Sequence, residues 1–259
     1  MELEVGGGQT RLTVVKRLCT ALLLAAACTL SAQAAPTPAP AAATKPVRPY
    51  VLELFTAQGC ASCRDADGLV QRLKDRPDVI VLSYSVDYWD YVGWADTTAK
   101  PEFTARQRDY VSRLNLKDLS TPAVIVDGRR ELGGVGQADV DALLNGPRRR
   151  VFPAPPSLKL VKAGAQAEIG AAGPPAGGAD LWLIRYDPAR REIKVRTGDN
   201  KDRTMVQTNA VRELVKIGTW VGRARRFDLP PAKQPGLRTV LLLQGVRDDR
   251  GVLAAVDDR

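Results

Sequence analysis

The sequence has no histidine. That single absence removes imidazole general bases, Ser-His triads, Cys-His dyads and histidine metal ligands. Cysteine is scarce too, with four in 259 residues, at Cys19, Cys28, Cys60 and Cys63. A zinc site usually takes four Cys or His ligands, and only Cys60 and Cys63 lie in the body of the chain, so neither a metal nor another cofactor is expected. Beyond the N-terminal segment there is no second long apolar run, so the chain is not expected to span a membrane. What is in excess is positive charge, +9 with a pI near 9.6. The basic residues fall in small clusters, such as Arg148-Arg149-Arg150 and Arg223, Arg225 and Arg226. No nucleic-acid motif accompanies them. They read as a solvated basic surface, weakly attractive to anionic lipid or polymer, and nucleic acid is not an expected partner.

Residues 1–34 read as a signal peptide. Lys16-Arg17 precedes "LCTALLLAAACTL", an apolar run too short to cross a bilayer, and Ala32-Gln33-Ala34 fits a small-residue cleavage site. The rival reading is a lipoprotein anchored at Cys28. It ranks second, because "LAAAC" lacks the large apolar residue usual three positions ahead of the lipidated cysteine. Cleavage after Ala34 removes Cys19 and Cys28 and leaves one pair in a compartment, periplasmic or extracellular, where disulfides persist. Residues 35–49 are a Pro/Ala linker with nothing to bury.

Residues 50–147 carry a regular alternation. "YVLELFT" reads as a buried strand. The pattern turns helical from Cys60, with Ala66, Val70 and Leu73 in one stripe and Leu69 beside it. Gly68 costs that helix about 1 kcal/mol against Ala, which suggests close packing there. "DVIVLSYSV" is a second strand. "KPEFTARQRDYVSRLNL" is a second helix with Pro101 in its first turn and Phe103, Gln107, Tyr110 and Leu114 on one face. "PAVIVDG" is a third strand, Asp127-Gly128 a hairpin turn, "RREL" a short return strand and "QADVDALLN" a third helix. The order βαβαββα, with a right-handed crossover, predicts an α/β fold with a thioredoxin-like core. Residues 148–259 change character. Period-2 runs ("SLKLV", "LWLIRY", "REIKVR", "RTVLLLQGV") surround the low-complexity "AGAQAEIGAAGPPAGGA", and "DPAR" and "RDDRG" resemble hairpin turns. An additional β-rich C-terminal region, packed on the first, is expected.

Chemistry concentrates at "FTAQGCASCRDADG". With Cys60 at a helix start, its sulfur meets free backbone N–H groups and the positive end of the helix dipole, which favour thiolate. Cys63, one turn on, continues the buried stripe. The asymmetry suits an exposed attacking Cys60 and a shielded, resolving Cys63, exchanging disulfides with a protein or small thiol partner. Arg64 favours the thiolate, whereas Asp65 and Asp67 oppose it. Glu53 lies in an apolar strand; if buried, it can take the proton of Cys63, and otherwise it sits on an exposed face or pairs with an arginine. Pro122 falls where this fold carries a cis-proline facing the cysteines, leaving the backbone of Thr121 to dock an extended substrate segment. The other reading of Pro122 is an ordinary trans proline opening a strand. The whole pair has an alternative as well: a static disulfide stapling a non-enzymatic binding module.

Of four tryptophans, six tyrosines and four phenylalanines, five aromatics (Tyr84, Tyr88, Trp89, Tyr91 and Trp94) fall within "YSVDYWDYVGW". This segment leaves the sheet at the same edge as Cys60. Tyr88, Trp89 and Trp94 either wall a binding cleft or pin their own loop. Asp87, Asp90 and Asp96 are placed to cap, pair or bind a cation.

"VLELFTAQGCASC", "LSYSVDYWDYVGWAD", "FTARQRDY", "TPAVIVDG" and "TGDNKDRTMVQTNAVREL" resemble, in order, a family of exported bacterial thioredoxin-like proteins without an assigned function, the domain-of-unknown-function family 1223. The likeness spans nearly the whole chain beyond the leader, and the aromatic block is its most specific part. It implies Glu53, Cys60, Cys63, Asp87, Trp89, Asp90 and Pro122 as matching positions. Ala57, Ala61, Arg64 and Asp65 stand where the family usually has Ser, Ser, Pro and Pro, which bears on how the helix follows the pair.

Overall fold

The structure, a computed structural model, describes residues 48–133, 135–146, 154–247 and 251–259. The signal peptide, nearly all of the linker and the Arg148–Arg150 cluster lie outside the described residues. The elements run β1 (Tyr50–Thr56), α1 (Cys63–Leu73), β2 (Val79–Ser85), α2 (Pro101–Leu114), β3 (Ala123–Val126), β4 (Arg130–Glu131), α3 (Gln137–Asn145), β5 (Leu158–Val161), β6 (Gln166–Ile169), β7 (Ala179–Asp187), β8 (Arg191–Lys194), β9 (Thr204–Gln207), β10 (Ala210–Trp220), β11 (Arg225–Asp228), β12 (Arg238–Gly245) and β13 (Val252–Asp257).

The fold is mixed α/β around one eight-stranded sheet, in the order β13-β12-β7-β10-β2-β1-β3-β4. β1 runs parallel to β2 and antiparallel to β3, and β3 pairs antiparallel with β4. β10 joins β2 in parallel at Ala210 and Ser83, which carries the sheet straight into the C-terminal strands. A three-stranded sheet (β11-β6-β5) and the β8-β9 ribbon complete the described structure.

β1 and β2 are buried along their whole length, which is why both read as nearly continuous apolar runs. The period of two then sorts their side chains. Leu52, Leu54, Val79 and Val81 meet Ala66, Leu69, Val70 and Leu73 of α1 and Val140 and Leu143 of α3. Val51, Phe55, Leu82 and Tyr84 face the other way, against Phe103 and Tyr110 of α2 and Ile184, Val240 and Leu242 of the C-terminal strands. A third cluster, with Leu181, Trp220, Phe227 and Leu241, seats the three-stranded sheet on the large one.

Local expectations met different fates. Pro101 stands at the N-terminus of α2, and the Asp127-Gly128 turn has both residues in the left-handed region, at φ 53° and 62°. Gly68 is not a close-packing site. A Cβ there would meet only the flexible Arg72 guanidinium, at 3.3 Å. "DPAR" is not a hairpin turn, because β7 pairs with β10 and β12 whereas β8 pairs with β9. The low-complexity stretch hides β6, whose Ala167 and Ile169 are fully buried.

Candidate functional site

β1 ends at Thr56 and the chain makes two successive turns before α1. The Cys60 N–H donates to the Ala57 carbonyl and the Cys63 N–H to the Cys60 carbonyl, each at 3.2 Å. Cys60 and Cys63 form a disulfide with their Cα atoms 5.4 Å apart. The helix therefore begins at Cys63, not Cys60. The expected exposure also fails. Cys60 is 1% exposed and Cys63 0%, because Cys60 is wedged between two turns with its sulfur 3.7 Å from the Thr121 carbonyl and 3.4 Å from Ser62 Oγ. Ala61 and Ser62, between the cysteines, are exposed, so the bond lies just beneath the surface.

Pro122 follows a cis peptide bond from Thr121, and the Thr121 carbonyl lies beside Cys60 Sγ. The aromatic segment closes the other side. The Trp89 indole N–H donates to Thr121 Oγ1 at 2.6 Å, and the Trp94 indole N–H to Gln58 Oε1 at 3.0 Å. Both indoles thus brace turns that flank the cysteines. Tyr88 is half-buried against the same cluster, where burial raises its hydroxyl pKa. Tyr91 stacks on Trp89, with ring centroids 6.0 Å apart, and is 80% exposed. The acidic residues of the segment work as ties. Asp87 accepts from the Thr104 hydroxyl at the start of α2, and Asp90 from the Asp96 N–H.

Glu53 is fully buried and paired with an arginine. Its carboxylate accepts from Arg106 Nε and Nη2 and from the Tyr110 hydroxyl, both on α2. Arg106 also stacks over Trp182 on β7, with the Tyr110 ring nearby, and Gln244 of β12 donates to the Tyr110 oxygen. Burial alone would pull Arg106 down, but the Glu53 charge and hydrogen bond, together with the Tyr110 and Tyr84 hydroxyls, outweigh it and hold the guanidinium well above its ordinary pKa. Every charge here has partners.

Asn200 and Thr197, which the sequence did not single out, complete the site, and Asp67 takes an unexpected place in it. Asn200, fully buried, donates to the carbonyls of Gln58 (2.9 Å) and Cys60 (2.8 Å). The Thr197 hydroxyl, on the same loop, holds the Gly93 carbonyl at 2.6 Å, so one C-terminal loop clamps both the cysteine turn and the aromatic segment. No local period marks Asn200; its only signal was its presence in the "TGDNKD" block. Asp67 is 6% exposed, not a surface charge. Its spacing of four from Cys63, on the buried stripe, was the readable clue.

The chain has no match at a significant level among curated proteins. Among solved structures, it is similar to the X-ray crystal structure of a protein from Agrobacterium tumefaciens, with 29% identity and a TM-score of 0.63 over 83% of this chain and 95% of that one. The chain's residues 51–244, which hold the cysteine turn, the aromatic segment and the Asn200 loop together, match one family model, and the chain belongs to that family, "Protein of unknown function (DUF1223)".

Proposed function

We propose that the chain is an exported protein with a thioredoxin-like core that exchanges disulfides through Cys60 and Cys63 with a protein or small thiol partner. The observation that carries this reading is the Cys60–Cys63 disulfide at the mouth of α1, with Cys60 Sγ against the carbonyl that precedes Pro122. The strand order β2-β1-β3-β4, with α2 on one face and α1 and α3 on the other, supports the thioredoxin-like core. Cys60 is the sulfur that a partner attacks, Cys63 is the leaving sulfur, and Thr121 with Trp89 borders the approach. The same burial that shields Cys60 requires a partner to displace the aromatic segment or the Ser62 side chain first. Export follows from the leader-like residues 1–34; the first residue of the exported protein, Ala35 or a lipidated Cys28, decides between free and anchored forms.

The burial of Cys60 favours a second reading, a binding module stapled by its disulfide. One experiment separates them. Full-length Cys63→Ala protein, incubated with glutathione disulfide, is expected to form a mixed disulfide at Cys60 detectable by mass. A Cys60 that stays unmodified in the folded variant, beside a wild-type disulfide resistant to dithiothreitol until unfolding, would establish the staple.

A further inference from the structure

Several buried polar atoms on the α1 side of the sheet and in the Asn200 loop are unpaired. Thr56 Oγ1, Ser83 Oγ, Asp67 Oδ1 and Asn200 Oδ1 are all buried and have no hydrogen-bond partner among the described residues. Buried polar atoms are usually satisfied; Thr56 and Ser83 share the α1 face of the sheet with Leu54 and Val81, so these orphans invite a chemical explanation. Three of the four are neutral side chains. Asp67 is the exception, and it lies one helical turn beyond Cys63.

Residues i and i+4 on a helix stand on one face with Cβ atoms about 5–6 Å apart. Cys63 and Asp67 therefore neighbour each other on the buried side of α1. The Asp96 carboxylate acts on the same site. Its Oδ2 accepts the Gln58 N–H at 2.9 Å, and its Oδ1 accepts the Thr98 N–H and lies 2.8 Å from the Thr98 hydroxyl. Two carboxyls that feel each other do not both ionise readily. The donors fall on Asp96, whereas Asp67 Oδ1 has none among the described residues. Burial, and then the Asp96 charge, raise the Asp67 pKa well above the ordinary carboxyl value. Among the described residues no other charge is found to act on Asp67. β2 and β9 carry no ionisable side chain apart from the Tyr84 hydroxyl, which faces the other side of the sheet, and the one acid of β1, Glu53, also faces α2. Arg64 and Asp65 of α1 point to solvent.

We propose that Asp67, not Glu53, is the group that exchanges a proton with Cys63 when the disulfide opens and closes. This rests on the disulfide-exchange reading above. A partner thiolate attacks Cys60 Sγ, forming the mixed disulfide. The Cys60–Cys63 bond breaks and its electron pair goes to Cys63 Sγ. The Asp67 carboxyl gives that thiolate its proton and becomes a carboxylate. A second partner thiolate then attacks the partner's own sulfur in the mixed disulfide and releases Cys60 as thiolate. The partner's two thiols are oxidised to a disulfide and the protein's disulfide is reduced to two cysteines. Closing the ring runs the same transfer backwards, with Asp67 as acceptor. Glu53 is unsuited to this, because its oxygens are already committed to Arg106 and Tyr110.

The test uses full-length oxidised protein and dithiothreitol in single-turnover stopped flow across pH, with wild type, Asp67→Asn and Asp67→Glu. Asp67→Asn is expected to slow reduction by about 10²-fold, the low end of general acid–base effects, and to abolish the pH inflection, while Asp67→Glu recovers part of both. Infrared difference spectra of wild type, oxidised minus reduced, are expected to show a protonated-carboxyl band that changes on reduction; its assignment to Asp67 requires its loss in Asp67→Asn. This spectrum keeps the idea testable should the kinetics of a variant be spoiled by misfolding. Rates and a band unchanged in folded Asp67→Asn would overturn the proposal and leave disulfide exchange standing, and a slowing found only in Glu53→Gln would do the same. A wild-type disulfide that dithiothreitol does not open in the folded protein would overturn both.

Discussion

Two buried acids lie on opposite faces of one sheet, Glu53 toward α2 and Asp67 on α1, and they are built differently. Glu53 faces α2 and is met by a guanidinium, a phenol and, behind them, an amide, so the ionised form is solvated by the protein itself. Asp67 faces the α1 side, with an orphan oxygen and a second carboxyl nearby. A charge surrounded by donors holds three layers in register. A buried carboxyl that lacks donors keeps its proton to a higher pH than a free one. Burial by itself therefore assigns no role; the donor count around the buried group does.

The largest expected effect comes from breaking the satisfied side. Arg106→Ala leaves Glu53 buried and unpaired, and should cost about 3–5 kcal/mol, read as a shifted urea midpoint. A loss under 1 kcal/mol would mean that water reaches Glu53 and that the contrast is false. Next comes Asn200→Ala, which strands two buried carbonyls, of Gln58 and Cys60. A cost of about 1–3 kcal/mol is expected, together with faster alkylation of reduced Cys60, since the clamp on its turn is gone. Unchanged alkylation at reduced stability would show that the clamp serves packing alone.

The smallest effect is a pH dependence. A carboxyl raised in the folded state favours folding at low pH, below its unfolded value of about 3.9, and that contribution is lost as pH rises through the folded pKa. Asp67→Asn, which resembles the neutral acid, should therefore be at least as stable as wild type at neutral pH and should flatten the upper part of the stability–pH curve. Chemical denaturation at a series of pH values checks this. A variant that loses stability only at neutral pH would show Asp67 to be a paired anion.

Much of this was legible in the sequence where the signal was local. The β1 run, Pro101, the Asp127-Gly128 turn and the cysteine spacing each carry their meaning within a few residues. The burial of Glu53 was posed as a condition, and its arginine partner was one of the two alternatives. Arg106 itself could not be named, because it lies 53 positions away on a helix whose polar face has several candidates. β10 was missed for a similar reason. Its strand character alternates weakly, and its pairing with β2 brings together Ser83 and Ala210, which no local period can announce. β6 was missed because four strand residues sit inside Ala, Gly and Pro. Cys60 was expected in the open because the helix dipole argument considers only the helix; the Thr121 turn and the aromatic segment that cover it come from elsewhere in the chain.

The junction between β2 and β10 has one further consequence. Pairing there is brief, and Asn209, at φ 51°, turns its own side-chain amide onto the Val81 carbonyl while its backbone carbonyl takes the Ser83 N–H. A side chain thus stands in for a missing length of strand. Without it, the buried Val81 carbonyl would lose its partner where the strand pairing gives out, at the cost of an unsatisfied polar group inside the sheet. One asparagine at the seam between the halves therefore stands in for two rungs of a strand ladder that the chain itself does not supply.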